Sequence, residues 1–471
     1  MFQSNPNIRV GLIFGSGARQ SFETTAENGF IIGEVRAGEP YVFHAQRFIA
    51  NNRITVTRRG AGLAVINPDN NATLHEYTHA SNNLAIIAAH PSSGGEFPLR
   101  FDELSGRTTG VKTTSVNNIY TGAFIYRPRA NGSGLEVIGL MSLQDYLKGV
   151  VPNEVFPDWE PEALRAFTIA ARSFAIHSIT QGRHASAHFD ICNNTHCQMF
   201  LGSARATEST DAAVDYTRDL VLTFNGNIAQ AVYFASSGGV TENHNDAWGW
   251  ELRQLYLTSV QLPFENYRAP GRRNSVWTNS VSPRELYEYL VNTSAQSALF
   301  RGNLNSPIAE IRINARSPGS NFIRNVSVID TNGNIVTVDT SARIRSAFGR
   351  FAFSSNMEIY RPSRFKAYFM SDSQGVEQDI KSEHTYIMTE NGLSKIGSRQ
   401  QITVITTDGL RTVQAYEIGT DFVFDGKGWG HGVGMSQWAA QDLALLGYRH
   451  EQILKIFYTG IAITHITEVA R

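Results

Sequence analysis

Two hydrophobic periods alternate along this chain. From Asn7 to about Asn118 the apolar residues come in short runs, Arg9–Phe14, Phe30–Val35, Arg53–Arg59, Gly62–Ile66, Leu84–His90 and Pro98–Phe101, broken by clusters of Gly, Asn, Asp, Ser and Pro. Short runs bounded by turn formers are a strand signature, so residues 1–118 are expected to form a β-rich N-terminal module. Two further strands, Ile119–Arg127 and Gly134–Met141, joined by a turn at Asn131–Gly134, lead to Ser142, where the period changes. Ser142 and Asp145 have capping-box spacing, and Leu143, Tyr146, Leu147 and Val150 fall on one helical face. Pro152 is expected to end that helix, because an interior proline loses a hydrogen bond and clashes with the preceding turn. A second helix starts at Glu160, Pro161 and Glu162, with Leu164, Phe167, Ala171, Phe174 and Ala175 as its buried stripe. The stretch from Ser142 to Ser178 thus reads as helix, break, helix, with Glu154 in the break.

Downstream, the pattern predicts a helix from Ala204 to Tyr216, strands over 220–224 and 229–239, and a helix from Ser282 to Leu290. Asn332-Gly333, set between apolar alternations, predicts a hairpin. Strand-like runs over about 367–422 form a β insertion, and two helices, closed by Gly447 and Gly460, end the chain. The expected fold class is α+β, β-rich, with a helical helix–break–helix segment and a C-terminal helix pair. The expected division is 1–118 and 119–471.

Composition narrows the function. Forty-one Lys and Arg against 42 Asp and Glu give a formal charge of −1, which argues against nonspecific nucleic-acid binding, since that needs a strongly basic face. Hydrophobic content of 42% with 18% charged residues is that of a globular domain. No apolar run approaches the roughly 20 residues that span a bilayer, and the first ten residues, MFQSNPNIRV, show no secretion signal.

Four places carry candidate chemistry. Glu154 sits among Val150, Val151, Val155, Phe156 and Trp159. A carboxylate held among apolar groups is desolvated, its pKa rises and it can donate a proton; the alternative is a solvated loop carboxylate. Arg172 borders the apolar stripe of the second helix, where a guanidinium still reaches a cleft. The loop after that helix holds His184, His188, Asp190, Cys192, His196 and Cys197. Cys192, Cys197, His196 and His188, with His184 as a substitute for His188, would suit one structural Zn2+; two reduced thiols or a local disulfide are the alternatives. The glycines at 426, 428, 430, 432 and 434 alternate, which on a strand leaves one face bare for close approach and steers His431 toward a cleft. That run satisfies no G-x-G-x-x-G register, so no organic cofactor is expected. Ser237, His244 and Asp246 suggest a hydrolase triad, but the Gly of a nucleophile elbow is missing. Trp248 and Trp250 suit either sugar stacking or core packing, and His75, His79 and His90 are scattered.

The wording of these motifs resembles the SpoIID/LytB family of stage II sporulation protein D and amidase enhancers. Tyr146 to Val151, Glu154, Trp159, Glu162 to Leu164, Ala166, Ala170 to Arg172, Phe174 and Ala175 match its first motif, with Val155 where the family has methionine. Tyr233 to Glu242 resembles Y-F-x-S-S-G-G-x-T-E, and Gly428 to Ala440 resembles G-x-G-H-G-V-G-M-S-Q-(Y/W)-G-A with Ala439 in place of glycine. The resemblance implies a lytic transglycosylase of peptidoglycan. Glu154 would be the acid and base that cleaves the bond between N-acetylmuramic acid and N-acetylglucosamine, leaving 1,6-anhydro ends on strands freed of peptide. It further implies glycan contacts from Arg172, Tyr233, Ser236, Ser237, Gly430, His431, Gly434 and Gln437, and zinc at the Cys/His loop in some members. Peptidoglycan strands and a cell-wall amidase are the implied partners, and work outside the cytoplasmic membrane is the implied location. A non-catalytic wall-binding enhancer of an amidase is the main alternative; a zinc hydrolase at Cys192 and Cys197 is the weakest.

Overall fold

The short apolar runs of the N-terminal stretch pair into two antiparallel-rich sheets. The computed structural model describes residues 2–78, 83–89, 108–112, 117–129, 134–249, 254–266, 272, 275–360, 365–369, 376–378, 386–389, 392–395, 401–406, 409–417 and 421–469. His79, His90, Trp250, the run Pro98–Phe101 and the turn at 131–133 lie outside them. A seven-stranded sheet has the order Ile191–Cys192, Asn7–Ile13, Leu135–Ser142, Ala123–Pro128, Asn83–Ala88, Phe30–Val35, His44–Ile49. Phe30–Val35 is buried throughout, as a strand covered on both faces must be, and its run is accordingly apolar almost without alternation. A six-stranded sheet is built around Ser21–Thr25 and Arg53–Arg59, and the buried hydroxyls of Thr24 and Tyr126 join the two sheets by a hydrogen bond.

The expected boundary at 118 is corrected by this pairing. Asn7 is in register with Ser142, and Ala123–Pro128 pairs with both Leu135–Ser142 and Asn83–Ala88. The N-terminal strands and the helical segment therefore share one sheet. The chain divides instead into one unit of Met1–Tyr233 with Ala440–Arg471, and a second of Phe234–Ala439.

In the first unit, helix α1 (Leu143–Glu154) begins where expected, with the Ser142 hydroxyl accepting from the Asp145 N–H at 3.1 Å. Its end differs. Pro152 lies inside the last turn, and Val155, in extended conformation, closes the helix. Glu154 is thus the terminal helical residue, not a residue of the break. Helix α2 (Pro161–Gln181) has its proline at the first turn and Gly182 in the left-handed conformation at its end. Helix α3 (Glu208–Tyr216) starts at a Thr207 capping box, later than the expected Ala204. The C-terminal pair forms over Gln437–Leu445 and His450–Phe457.

The second unit has its own core. Leu286, Leu290, Phe300, Val326, Val328, Ile344, Phe348 and Phe424 are fully buried in it, under helices Pro283–Asn292 and Ser341–Phe348. The Asn332-Gly333 hairpin joins Ile323–Asp330 to Ile335–Asp339 as expected, with Gly333 at φ 85°. The β insertion forms a sheet of order Val376–Gln378, Phe365–Phe369, Gly409–Glu417, Gln401–Thr406, plus a separate hairpin, Tyr386–Thr389 with Gly392–Lys395.

Candidate functional site

Glu154 stands at the C-terminus of α1, and the segment after the Cys/His loop comes back to meet it. The Met199 N–H donates to its Oε1 at 2.7 Å. The preceding residue, Gln198, is fully buried and braces the surroundings. It accepts from the Tyr146 hydroxyl at 3.0 Å, and its amide donates to the Ala171 carbonyl at 3.2 Å and to the Tyr233 hydroxyl at 3.0 Å. Burial first, then the charge of Glu154, raises the Tyr233 phenol well above its ordinary value. Burial likewise raises Tyr146, followed by Cys197 and Glu154. Both phenols therefore keep their protons beside the carboxylate. Phe167 packs edge-on against Tyr233 with centroids 4.7 Å apart. Close approach of the 198–202 segment explains the glycine in the first motif: a Cβ at Gly149 would lie 2.4 Å from the Phe200 ring. Phe156 is exposed and paired with the buried Trp159, centroids 5.8 Å apart.

Arg172 is corrected. Its guanidinium does not reach a cleft; the residue is 1% exposed. It donates to the carbonyls of Val214 (3.2 Å), Thr217 (2.6 Å) and Leu220 (3.2 Å) at and just beyond the end of α3. The carbonyls of Val214 and Thr217 are ones that a helix terminus leaves unpaired, and Leu220 opens the next strand, so Arg172 caps a helix in the interior and ties it to that strand. Burial pushes its pKa down to about 9.

The Cys/His loop gathers His184, Cys192, His196 and Cys197, whose ligand atoms all lie within 4.8 Å of one another. His184 Nε2 is 3.2 Å from Cys197 Sγ, and His196 Nδ1 is 3.5 Å from both sulfurs. Both cysteines are free. Interaction with Cys192 is the main cause that lowers the Cys197 thiol, to about 4, while the same contact and burial push Cys192 upward. Two thiols and two imidazoles at this spacing fit tetrahedral Zn2+. The expected ligand His188 is corrected to His184: His188 turns away, with φ 64°, and its Nε2 meets Arg127 Nη2 at 2.5 Å.

The remaining motif residues belong to the second unit. Ser236 donates to Glu265 Oε1 at 2.7 Å, Ser237 donates to the same carboxylate through its backbone N–H (3.1 Å) and its hydroxyl, and Ser436 donates to Oε2 at 3.3 Å. Glu265 thus ties the serine motif to the segment that ends in Gln437. Sequence reading missed it, because a lone Glu after Pro263-Phe264 carries no spacing signal. Since Ser237 donates to a carboxylate, the triad reading is not supported.

The bare-face reading of the glycine run is corrected as well. Its strand ends at Lys427, and Gly428, Gly430, Gly432 and Gly434 all have positive φ. The backbone coils instead, and these glycines exist for that conformation and for close packing. A Cβ at Gly430 would lie 2.7 Å from Phe234, and one at Gly432 2.6 Å from Phe322. His431 is half-buried between Phe234 and Trp248, centroids 5.5 and 5.1 Å away. Its Nδ1 accepts from the Val433 N–H at 3.1 Å, which places the proton of the neutral ring on Nε2 as a donor. Trp248 also meets His244, which is buried with an unpartnered Nδ1. Exposed Trp429 stacks on Phe353 at 4.3 Å.

The profile of the SpoIID family, described as stage II sporulation protein, matches residues 131–224, which hold α1, Glu154, α2 and the Cys/His loop. An uncharacterized protein of Brachyspira hyodysenteriae is 25% identical over 350 residues, covering 74% of this chain and 73% of that one. The amidase enhancer of Bacillus subtilis is 26% identical over 320 residues, 68% of this chain but 40% of its own length. Stage II sporulation protein D of Bacillus subtilis is 26% identical over 221 residues, 42% of this chain and 63% of that protein. Over residues 131–224, which carry the first motif, this chain is thus similar to the SpoIID family, and more widely to an amidase enhancer and to stage II sporulation protein D.

Proposed function

We propose that this chain is an extracytoplasmic lytic transglycosylase of peptidoglycan, with Glu154 as its acid and base. The observation that carries the reading is the setting of that carboxylate. It ends a rigid helix, is fixed by the Met199 N–H, and is flanked by two phenols that keep their protons. In the proposed reaction Glu154 gives its proton to the glycosidic oxygen between N-acetylmuramic acid and N-acetylglucosamine. It then takes the proton of the muramic C6 hydroxyl as that oxygen attacks C1 and closes a 1,6-anhydro ring. The proton is returned and no water is consumed. Exposed Phe156, two residues on, offers a ring face to a sugar. In the second unit, Trp248, Trp429 and the Nε2 donor of His431 are candidates for sugar contact in their own right, with Ser236, Ser237, Gly430, Gly434 and Gln437 as the framework around them.

A structural Zn2+ held by His184, Cys192, His196 and Cys197 is part of the same proposal, and the clustering of their ligand atoms within 4.8 Å supports it. Four protein ligands leave no open position. The metal would lock the loop that leads directly into Gln198 and Met199, the two residues that hold the Glu154 site. The second reading, a non-catalytic enhancer of a wall amidase, is favoured by the name of one relative.

The test is Glu154→Gln. General acid–base assistance contributes roughly 10²–10⁴-fold, so formation of 1,6-anhydromuramic ends from purified glycan strands, read by mass spectrometry, should fall at least that far while the fold is kept. Undiminished cleavage by the variant would remove Glu154 from the mechanism. No cleavage by wild type, with or without stem peptides on the strands, would favour the enhancer.

A further inference from the structure

The first unit contains a cavity that the glutamate site does not use. It has a volume of about 330 Å³, the lower end of the range for small-ligand pockets. Neighbouring strands of the seven-stranded sheet deliver its lining to one place: Arg9, Ile125, Arg127 and Ile138 come from three adjacent strands, Arg36 follows Phe30–Val35, and His188 comes from the loop after α2. The isoleucines give it apolar wall, and the other four give it cationic or imidazole groups.

Each lining guanidinium has a carboxylate partner. Arg9 pairs with Asp190 (2.6 Å), Arg36 with Glu34 (2.8 Å), and Arg127 and Arg129 share Glu136 (3.3 and 3.6 Å). None of these carboxylates lines the cavity. The three lining guanidiniums match these three carboxylates, and Arg129, just outside the lining, adds one surplus positive charge beside Arg127. Arg36 uses only Nε on Glu34; its two terminal amino groups have no partner among the described residues. Arg127 Nη2 meets a neutral imidazole nitrogen, His188 Nε2, at 2.5 Å, where an anion would be the stronger partner. His188 holds that place with φ 64°, a conformation that costs a non-glycine residue roughly 1–2 kcal/mol.

We propose that this cavity binds the carboxylate of a small ligand with a short alkyl body, gripped by Arg36 and Arg127 over Ile125 and Ile138. The single net charge suits a monoanion better than a phosphate dianion, and the apolar wall suits a methyl group beside the carboxylate. In peptidoglycan that chemistry has two sources: the lactyl group of muramic acid without its peptide, and the terminal D-alanine of a stem peptide. The choice of probes rests on the peptidoglycan reading; the site itself does not.

The experiment titrates the full chain with N-acetylmuramic acid, its methyl ester, D-alanyl-D-alanine and inorganic phosphate, followed by calorimetry. One of the two acids should saturate, and which one does identifies the source. The uncharged ester should not bind. Arg36→Gln, at an exposed rim position, and Arg127→Gln should each weaken the acid about 10- to 100-fold, as loss of a charged hydrogen bond does. Glu154→Gln should bind the acid like wild type, which separates this site from the cleavage reaction. No saturation by either acid, an ester that binds as well as its acid, binding of phosphate alone, or unchanged affinity in both arginine variants would each overturn the proposal. The comparison of acid with ester needs no variant and holds if Arg127→Gln fails to fold.

Discussion

At the scale of single residues, the buried charges of this molecule oppose one another. Glu242 is completely buried, and burial pushes its carboxyl up to about 7 despite donors from Ser317, Ser320 and the Asn243 N–H. Burial pushes His244 down to about 4. The signs follow from which state binds the proton. Glu242 favours the folded state at low pH, and that contribution is lost as pH rises from 4.5 through 7. His244 favours it at high pH, and that contribution is lost as pH falls from 6.5 toward 4. Each shift corresponds to about 3 kcal/mol, and between pH 4.5 and 6.5 the two slopes largely cancel. Glu242→Gln should therefore unmask a stability that rises over that window, and His244→Gln one that falls from pH 5 to 7.5. Urea denaturation at four pH values measures both; parallel curves for all three proteins would refute the assignment. Arg172 gives a second residue-scale expectation. Arg172→Ala strands buried carbonyls at the end of α3 and should cost about 3–5 kcal/mol in urea unfolding. A variant of normal stability with lost activity would return Arg172 to the ligand.

At the scale of elements, the Cys/His loop is the piece whose order decides the site. It runs from the end of α2 to Gln198; the Arg9–Asp190 pair, the parallel pairing of Ile191–Cys192 with Val10–Gly11 and the Asn193 amide on the Leu12 carbonyl fasten it to the sheet, and the ligand cluster closes it on itself. Protein purified without chelator should carry about one Zn2+ per chain by metal analysis. Stripping the metal should lower the melting temperature and, through Met199, the cleavage rate, because binding energy at a structural site is folding energy. A metal-free chain with an unchanged melting temperature would show that thiols and imidazoles alone close the loop.

At the scale of the whole molecule, the second unit is one unbroken segment, while the first is assembled from both ends of the chain. The second unit's main described cluster of buried side chains comes from residues between Trp277 and Phe424, inside that same segment. A fragment of residues 234–439 should accordingly unfold cooperatively in urea. A broad, non-cooperative transition would mean that its core needs the rest of the chain.

Local rules made much of this legible in the sequence. The Ser142 cap, Pro161 at the first turn of α2 and the Asn332-Gly333 hairpin depend on a few neighbouring residues, and each formed where the pattern put it. The family motifs were legible too, and with them Glu154. What local pattern could not show was which groups meet over long separations. Pro152 was tolerated in the last turn of α1, moving Glu154 onto the helix. The Met199 N–H that holds Glu154 lies 45 residues away, and Arg172 finds its carbonyls 42 to 48 residues on. Glycine spacing looks the same whether the backbone is extended or coiled, so the positive φ values of 428–434 came only from packing against Phe234 and Phe322. His184 and His188 are interchangeable on a spacing argument; the sheet decided between them by bringing Arg127 to His188 and the thiols to His184.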